Sequence, residues 1–312
     1  MKKQPITPRS ITTSEPQFGG SFSAKYCREL GVSPRDVLTA ITGDLGVRRL
    51  RLMSYWDEHE QQPGVYDFTE LDWQMDMAAA CGAKVSLCLG KRQPRWPECH
   101  MPAWAQALEK KDWYAALFAY IEVVVLRYRD HPALESWQLE NEAMLRSFGV
   151  CQDGDYSHAR LKAELAIVKR LDTMHPVIMT LSDNWGFPWR GPWPDIFGFS
   201  VYVIVMNAKG NYVGTAFAWW WHRWHARLIT LITRRPVLLH ELQAEPWGDR
   251  PLLQMSPEQQ ARSMSATQLR NNVQLAQRIG QPPTYLWGLE WWYERRLAGD
   301  DSLWREGKRI YQ

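Results

Sequence analysis

The chain has 312 residues, 45% hydrophobic and 23% charged, so it is globular, able to bury a large core, and of a size that a single α/β barrel commonly reaches. Its 37 basic and 34 acidic side chains leave a net charge of +3, too balanced for a nucleic-acid surface, and no Lys/Arg block offers a phosphate-binding patch. No uncharged apolar stretch reaches about 18 residues, so no helix is expected to span a membrane.

In chain order, residues 1–16 read as an extended segment. They begin MKKQPITPRS, with two lysines but no apolar run behind them. That is no secretory signal, and the expected location is cytoplasmic. The first strand candidate is FGGSFS (Phe18–Ser23). In VSPRDVL, Ser33 is a cap and Pro34 fits the first helical position. VRRLRLM (Val47–Met53) is the second strand. FTELDWQMDMAAACG follows as a helix, with Thr69 as its cap and Gly82 as its stop. Further strands are KVSLCLG (Lys84–Gly90), LESWQLEN (Leu134–Asn141), PVIMTLS (Pro176–Ser182), IFGFSVYV (Ile196–Val203), PVLLHEL (Pro236–Leu242) and TYLWGLEWW (Thr284–Trp292). Ser256 and Pro257 open another helix in MSPEQQAR.

Strands alternating with helices argue for a parallel sheet, and eight such units in a chain of this length argue for a closed (β/α)8 TIM barrel as a single domain over residues 1–312. An open doubly wound sheet is disfavoured, because no GxGxxG turn or phosphate loop follows a strand. Cys27, Cys81, Cys88, Cys99 and Cys151 are odd in number and contain no CxxC pair, which argues against a zinc site or a disulfide framework. No motif for a metal or an organic cofactor is present, and none is expected.

In such a barrel the chemistry gathers at the C-terminal ends of the strands. Arg51 lies near the end of the second strand and Tyr202 near the end of the sixth. The fourth runs out in SWQLENEAM, placing Glu140, Asn141 and Glu142 at its end; the seventh ends at His240-Glu241, and the eighth carries Trp287. Two carboxylates facing each other over a cleft lined by Trp and Tyr suit glycosidic bond cleavage, where one must be protonated and the other ionised. Trp is abundant at 18 residues; most should pack the core, and roughly one in three should line a cleft. The loop Ser182–Asp195, with three Trp and three Pro, reads as a stiff substrate wall with Trp185 as a stacking face. PRWPECHMPAW, after the third strand, offers Trp96, Glu98 and His100 as sugar contacts.

This ordered set resembles the (β/α)8 retaining glycoside hydrolases of clan A, the group that includes cellulase- and mannanase-type family five and the β-galactosidases. The resemblance rests on Asn141-Glu142, Glu241 and Trp287 in that order, with Arg51 and Tyr202, and covers Phe18 to about Trp292. It implies Glu142 as general acid/base and Glu241 as nucleophile, about 5 Å apart. It implies Asn141 on the sugar 2-hydroxyl, Arg51 and Tyr202 supporting the nucleophile, and Trp287 as the floor of the central subsite. The implied partner is a β-linked carbohydrate. The family's short Glu-Phe-Gly run is replaced by HELQAEPWG, so Glu245 competes with Glu241; the apolar strand PVLLHE favours Glu241. Glu140 competes with Glu142, but only Glu142 follows the Asn.

Other readings stand beside this one. A carbohydrate-binding barrel without turnover needs no pair of carboxylates, and a transglycosylase would use the same two Glu. His222 and His225, three apart, fit a surface or capping role better than a metal site, since no acid or Cys partners them. His240 should face away from Glu241, into the core. TAFAWWWHRWHARLITLITRR reads as the sixth barrel helix packed on the sheet; contact with a membrane surface is the less favoured reading.

Overall fold

A computed structural model describes residues 18–95, 97–145, 151–181, 186–188 and 190–312. The segment 1–16, Trp96 and Trp185 lie outside the described residues.

The eight apolar runs all form strands: β1 (Phe18–Phe22), β2 (Arg49–Met53), β3 (Lys84–Leu89), β4 (Leu134–Leu139), β5 (Val177–Thr180), β6 (Ile196–Val201), β9 (Val237–Gln243) and β10 (Thr284–Trp287). A further short pair, β7 (Ile204–Met206) and β8 (Tyr212–Gly214), folds as an antiparallel hairpin after β6. The eight close into a barrel in the order β1-β10-β9-β6-β5-β4-β3-β2, so each lies beside its neighbours in sequence. The strands pair in parallel, for example Phe18 with Thr284 and Leu286 with Leu242. Parallel strands covered on both faces become continuous buried runs; every residue of β1, β2, β6, β9 and β10 is buried.

The described residues divide into two compact units, one within Leu52–Ser182 and Phe187–Phe197, the other within Thr13–Arg51 and Gly198–Gln312. The first holds β3, β4 and β5 with the helices Thr69–Ala80, Lys110–Tyr128 and His158–Leu171. Its core includes the fully buried Trp56, Trp113 and Trp137. The Trp137 indole N–H donates to Asp172 at 2.9 Å, so a large apolar surface is buried without orphaning its polar atom. The second holds β1, β9 and β10 with the helices Pro34–Gly43, Trp219–Thr233, Ala266–Ile279, Leu289–Leu297 and Ser302–Tyr311. Gly19 in β1 is fixed by packing: a Cβ there would stand 2.8 Å from the Arg49 carbonyl oxygen and 2.9 Å from the Tyr285 ring.

Helix starts follow local chemistry where it is strong. Ser33 accepts from the Asp36 N–H ahead of Pro34, and Ser256 forms a full capping box with Gln259. Thr69, expected as a cap, is instead the first helical residue; the Asp67 carboxylate accepts the Thr69 N–H at 2.9 Å. The eighth strand stops at Trp287 and not at Trp292. Gly288 takes φ 115°, and the Glu-Trp-Trp that follows belongs to the helix Leu289–Leu297. No helix joins β5 to β6 among the described residues.

Candidate active site

The end of β9 presents Glu241, 5% exposed. Its two carboxylate oxygens have separate donors. Arg51, at the middle of β2 and fully buried, donates from Nη1 to Oε2 at 2.5 Å, and the Tyr202 hydroxyl, just past β6, donates to Oε1. A guanidinium on one oxygen and a phenol on the other hold the group in one orientation. Tyr202 is braced edge-on against Trp247, ring centroids 5.1 Å apart.

Gln243, two residues on and therefore on the same strand face, was not singled out by the sequence. Its Oε1 accepts from the Val203 and Ile204 N–H groups at 2.8 and 3.0 Å, and its Nε2 donates to the Ile204 carbonyl at 2.7 Å. The amide thereby fixes the segment that carries Tyr202. Trp287 pairs in register with Gln243 at the end of β10. Glu245, the competitor for the nucleophile position, lies past the strand with its side chain packed on Gly288, where any Cβ would strike it. Glu241, not Glu245, is therefore the acid held by Arg51 and Tyr202. His240 faces away, as strand alternation requires. It is fully buried edge-on to Tyr285, and burial, reinforced by the charge of Arg51, lowers its pKa well below the usual value.

In the other unit, β4 gives way to Glu140, Asn141 and Glu142, all buried. Glu140 and Glu142 both take positive φ, 55° and 42°, uncommon for residues with a Cβ. Hydrogen bonds hold this turn: Glu140 N–H to the Leu89 carbonyl at 2.9 Å, Asn141 N–H to the Arg92 carbonyl at 2.8 Å, and Glu142 N–H to the Thr180 hydroxyl at 2.8 Å. Asn141 donates from Nδ2 to Glu98 at 2.8 Å and accepts from Gln138 Nε2 at 3.1 Å, which fixes its amide. Glu98, expected as a sugar contact, is thus a partner of Asn141. His100 is buried against Tyr55, ring centroids 4.3 Å apart.

Glu140 has a different role. Its carboxylate accepts from the Lys91 and Arg92 N–H groups at 3.2 and 2.8 Å and from Arg160 at 2.7 Å. Gly90 leaves room for it, since a Cβ would come within 2.6 Å of its Oε1. Beneath lie Asp155, paired with Lys91 and Arg92, and Glu164, paired with Arg160. Burial pushes the Glu164 carboxyl up and the neighbouring Glu140 adds to this, against the pull of Arg160.

His222 and His225, expected at the surface or as caps, are buried on the inner face of the helix Trp219–Thr233. His222 stacks on Phe199 and His225 on Trp221, so aromatic packing accounts for them. No cluster of three or more metal-ligating side chains occurs among the described residues.

No family model matches the chain. A probable mannan endo-1,4-β-mannosidase F of Neosartorya fischeri is 32% identical over 139 residues, taking in 40% of this chain and 30% of that protein, so the likeness spans under a third of the relative's length. The β-galactosidase of Rahnella sp. R3 superposes with a TM-score of 0.63 at 13% identity, over 99% of this chain and 57% of that one. The endo-1,4-β-D-mannanase of Thermotoga petrophila, solved with maltose and glycerol, superposes with a TM-score of 0.55 at 18% identity, over 88% of each chain. At such identities the two structures speak for the barrel fold. The closed eight-stranded barrel is thus the fold shared with these two structures, and over 139 residues the sequence is similar to part of a mannan endo-1,4-β-mannosidase.

Proposed function

We propose that the chain hydrolyses a β-linked glycoside with retention of anomeric configuration. The observation that carries this reading is Glu241, a carboxylate at the end of the seventh barrel strand with Arg51 on one oxygen and Tyr202 on the other. Held in one orientation, its carboxylate is suited to attack an anomeric carbon. Glu142, after the fourth barrel strand, is the general acid. It gives its proton to the leaving oxygen as the glycosidic C–O bond breaks and Glu241 forms an ester to the sugar. Glu142, now a carboxylate, then takes a proton from water as that water attacks the same carbon and releases Glu241. Asn141, its amide fixed by Glu98 and Gln138, is assigned to the sugar 2-hydroxyl, and Trp287 to the face of the ring.

The sequence likeness to mannan endo-1,4-β-mannosidases makes β-1,4-mannan and aryl β-mannosides the first substrates to try, with β-galactosides and β-glucosides beside them. The test is product release from this panel by the wild type and by Glu241→Ala, together with trapping by a 2-fluoro glycoside of the sugar that is cleaved. Turnover lost in the variant, and a sugar bonded to Glu241 in the wild type, are expected. A sugar on Glu245, or turnover that survives Glu241→Ala, overturns the assignment. Silence of the wild type across the panel with sugar binding still measurable overturns hydrolysis altogether.

A further inference from the structure

The helix Trp219–Thr233 has two faces of different character. The inner one packs His222, His225, Ala226, Ile229 and Thr233. The outer one leaves large apolar side chains in solvent: Trp220 is 59% exposed, Trp224 51% and Leu231 62%, with Ile232, 50% exposed, on its flank. Scattered exposed apolar residues are ordinary, but these share one helix. Trp220, Trp224, Arg227, Leu231 and Arg234 follow one another at steps of three or four and so form a single stripe.

The charge on this face is one-sided. Arg223, Arg227 and Arg234 are exposed, and the helix contains no acid. No ion pair to these three occurs among the described residues. Several exposed arginines elsewhere are matched, among them Arg127 with Asp72, Arg170 with Glu122 and Arg296 with Asp44. A recess lined by Arg227, Thr230, Leu231, Arg234 and Gln281 opens on the same face, with two guanidinium groups among its walls.

We infer that the outer face of the helix Trp219–Thr233 is a docking surface for an anionic lipid bilayer. Trp rings settle at the headgroup level, Leu231 and Ile232 reach into the acyl boundary, and the arginines meet lipid phosphates from alongside. The recess between Arg227 and Arg234 would seat one headgroup. No helix of the described residues is long and apolar enough to cross a membrane, so the contact is with the surface. A polysaccharide also stacks on Trp, but it offers neither the negative charge that three unpaired arginines call for nor an apolar medium for Leu231 and Ile232. This inference is independent of the proposed hydrolysis.

The test is co-sedimentation of the purified protein with vesicles of phosphatidylcholine alone and of phosphatidylcholine mixed with phosphatidylglycerol. Binding to the mixed vesicles only, weakened by added salt, is expected. Arg223→Gln with Arg227→Gln should lower partition by about fivefold for each charge removed. Trp220→Ser, Trp224→Ser and Leu231→Ser combined should abolish it, with melting temperature and hydrolysis retained because these side chains already face solvent. Failure of the wild type to sediment with anionic vesicles, or equal binding to both kinds, overturns the proposal without touching the hydrolase reading. Retention on insoluble mannan that the triple variant loses, with no vesicle binding, would reassign the face to sugar. Should a variant fail to fold, the lipid and salt dependence of the wild type decides alone.

Discussion

Two positions separate Glu140 from Glu142, and their surroundings give them different consequences. Glu140 accepts two backbone N–H groups and the Arg160 guanidinium inside a fully buried network. Truncating one partner of such a network leaves charge and donors buried without compensation, at a cost of about 3–5 kcal/mol. Glu140→Ala should therefore lower the melting temperature by several degrees. Glu142 is fixed through its backbone, by the hydrogen bond from its N–H to Thr180, so Glu142→Gln should keep the fold. If it is the general acid, that variant should lose roughly 10²–10⁴ in kcat on substrates with poor leaving groups and much less on activated aryl glycosides. Melting curves and the two kinds of substrate separate the roles. A Glu142→Gln protein with an unchanged rate on natural linkages, or a Glu140→Ala protein as stable as the wild type, would contradict them.

At the scale of the element, the loop after β6 is held by a strand it does not pair with in sequence. Gln243 binds the Val203 and Ile204 N–H groups and the Ile204 carbonyl, and Tyr202 is adjacent to that clamp. Gln243→Leu preserves bulk but leaves three backbone groups without partners, each worth about 1–3 kcal/mol when buried. Tyr202 should then lose its fixed position, and kcat should fall by roughly 10–100-fold with a smaller change in KM, since the Tyr202 bond serves Glu241, the proposed nucleophile. A rise in KM alone would mean that Gln243 shapes the cleft instead. Gln243 escaped the sequence reading because a glutamine at the end of an apolar strand looks like the strand's polar terminus. The strands themselves were legible because burial on both faces writes most of them as short runs rich in apolar residues, even where β2 and β4 carry polar side chains. The limits came where residues suit two structures: Trp291 and Trp292 fit a strand or a helix, and only Gly288 at φ 115° decides for the helix. The β7–β8 hairpin was missed although VIVMNAKGNYVG sets two short β-prone runs around a turn containing Asn and Gly. That Asn141-Glu142 and Glu241 stand at strand ends was legible, but the partnership of Asn141 with Glu98 joins two loops distant in sequence, and no spacing rule reports that.

For the whole molecule, the buried imidazoles set the response to acid. Burial lowers His222 to about 4, with the charge of His225 adding to it; burial also lowers His225, and lowers His240 well below 6.5. In the unfolded chain each titrates near 6.5. Between that value and the lower folded one the unfolded state binds protons that the native state refuses, so stability is full above about 6.5 and declines as pH falls toward 4. The carboxylates add a second decline at lower pH. Burial raises Asp172, but hydrogen bonds from His175 and Trp137 outweigh it and hold the group at about 2, so its contribution is present above 3.8 and lost as pH falls from there to about 2. His240 isolates the first step, because its ring packs edge-on against Tyr285 with centroids 5.0 Å apart and both ring nitrogens lack a hydrogen-bond partner among the described residues. His240→Phe keeps the aromatic contact and removes the titrating group. Its melting temperature should match the wild type near pH 8 and exceed it increasingly from pH 6.5 down to about 4.5. Two curves that stay parallel across that range would place the acid sensitivity elsewhere than His240.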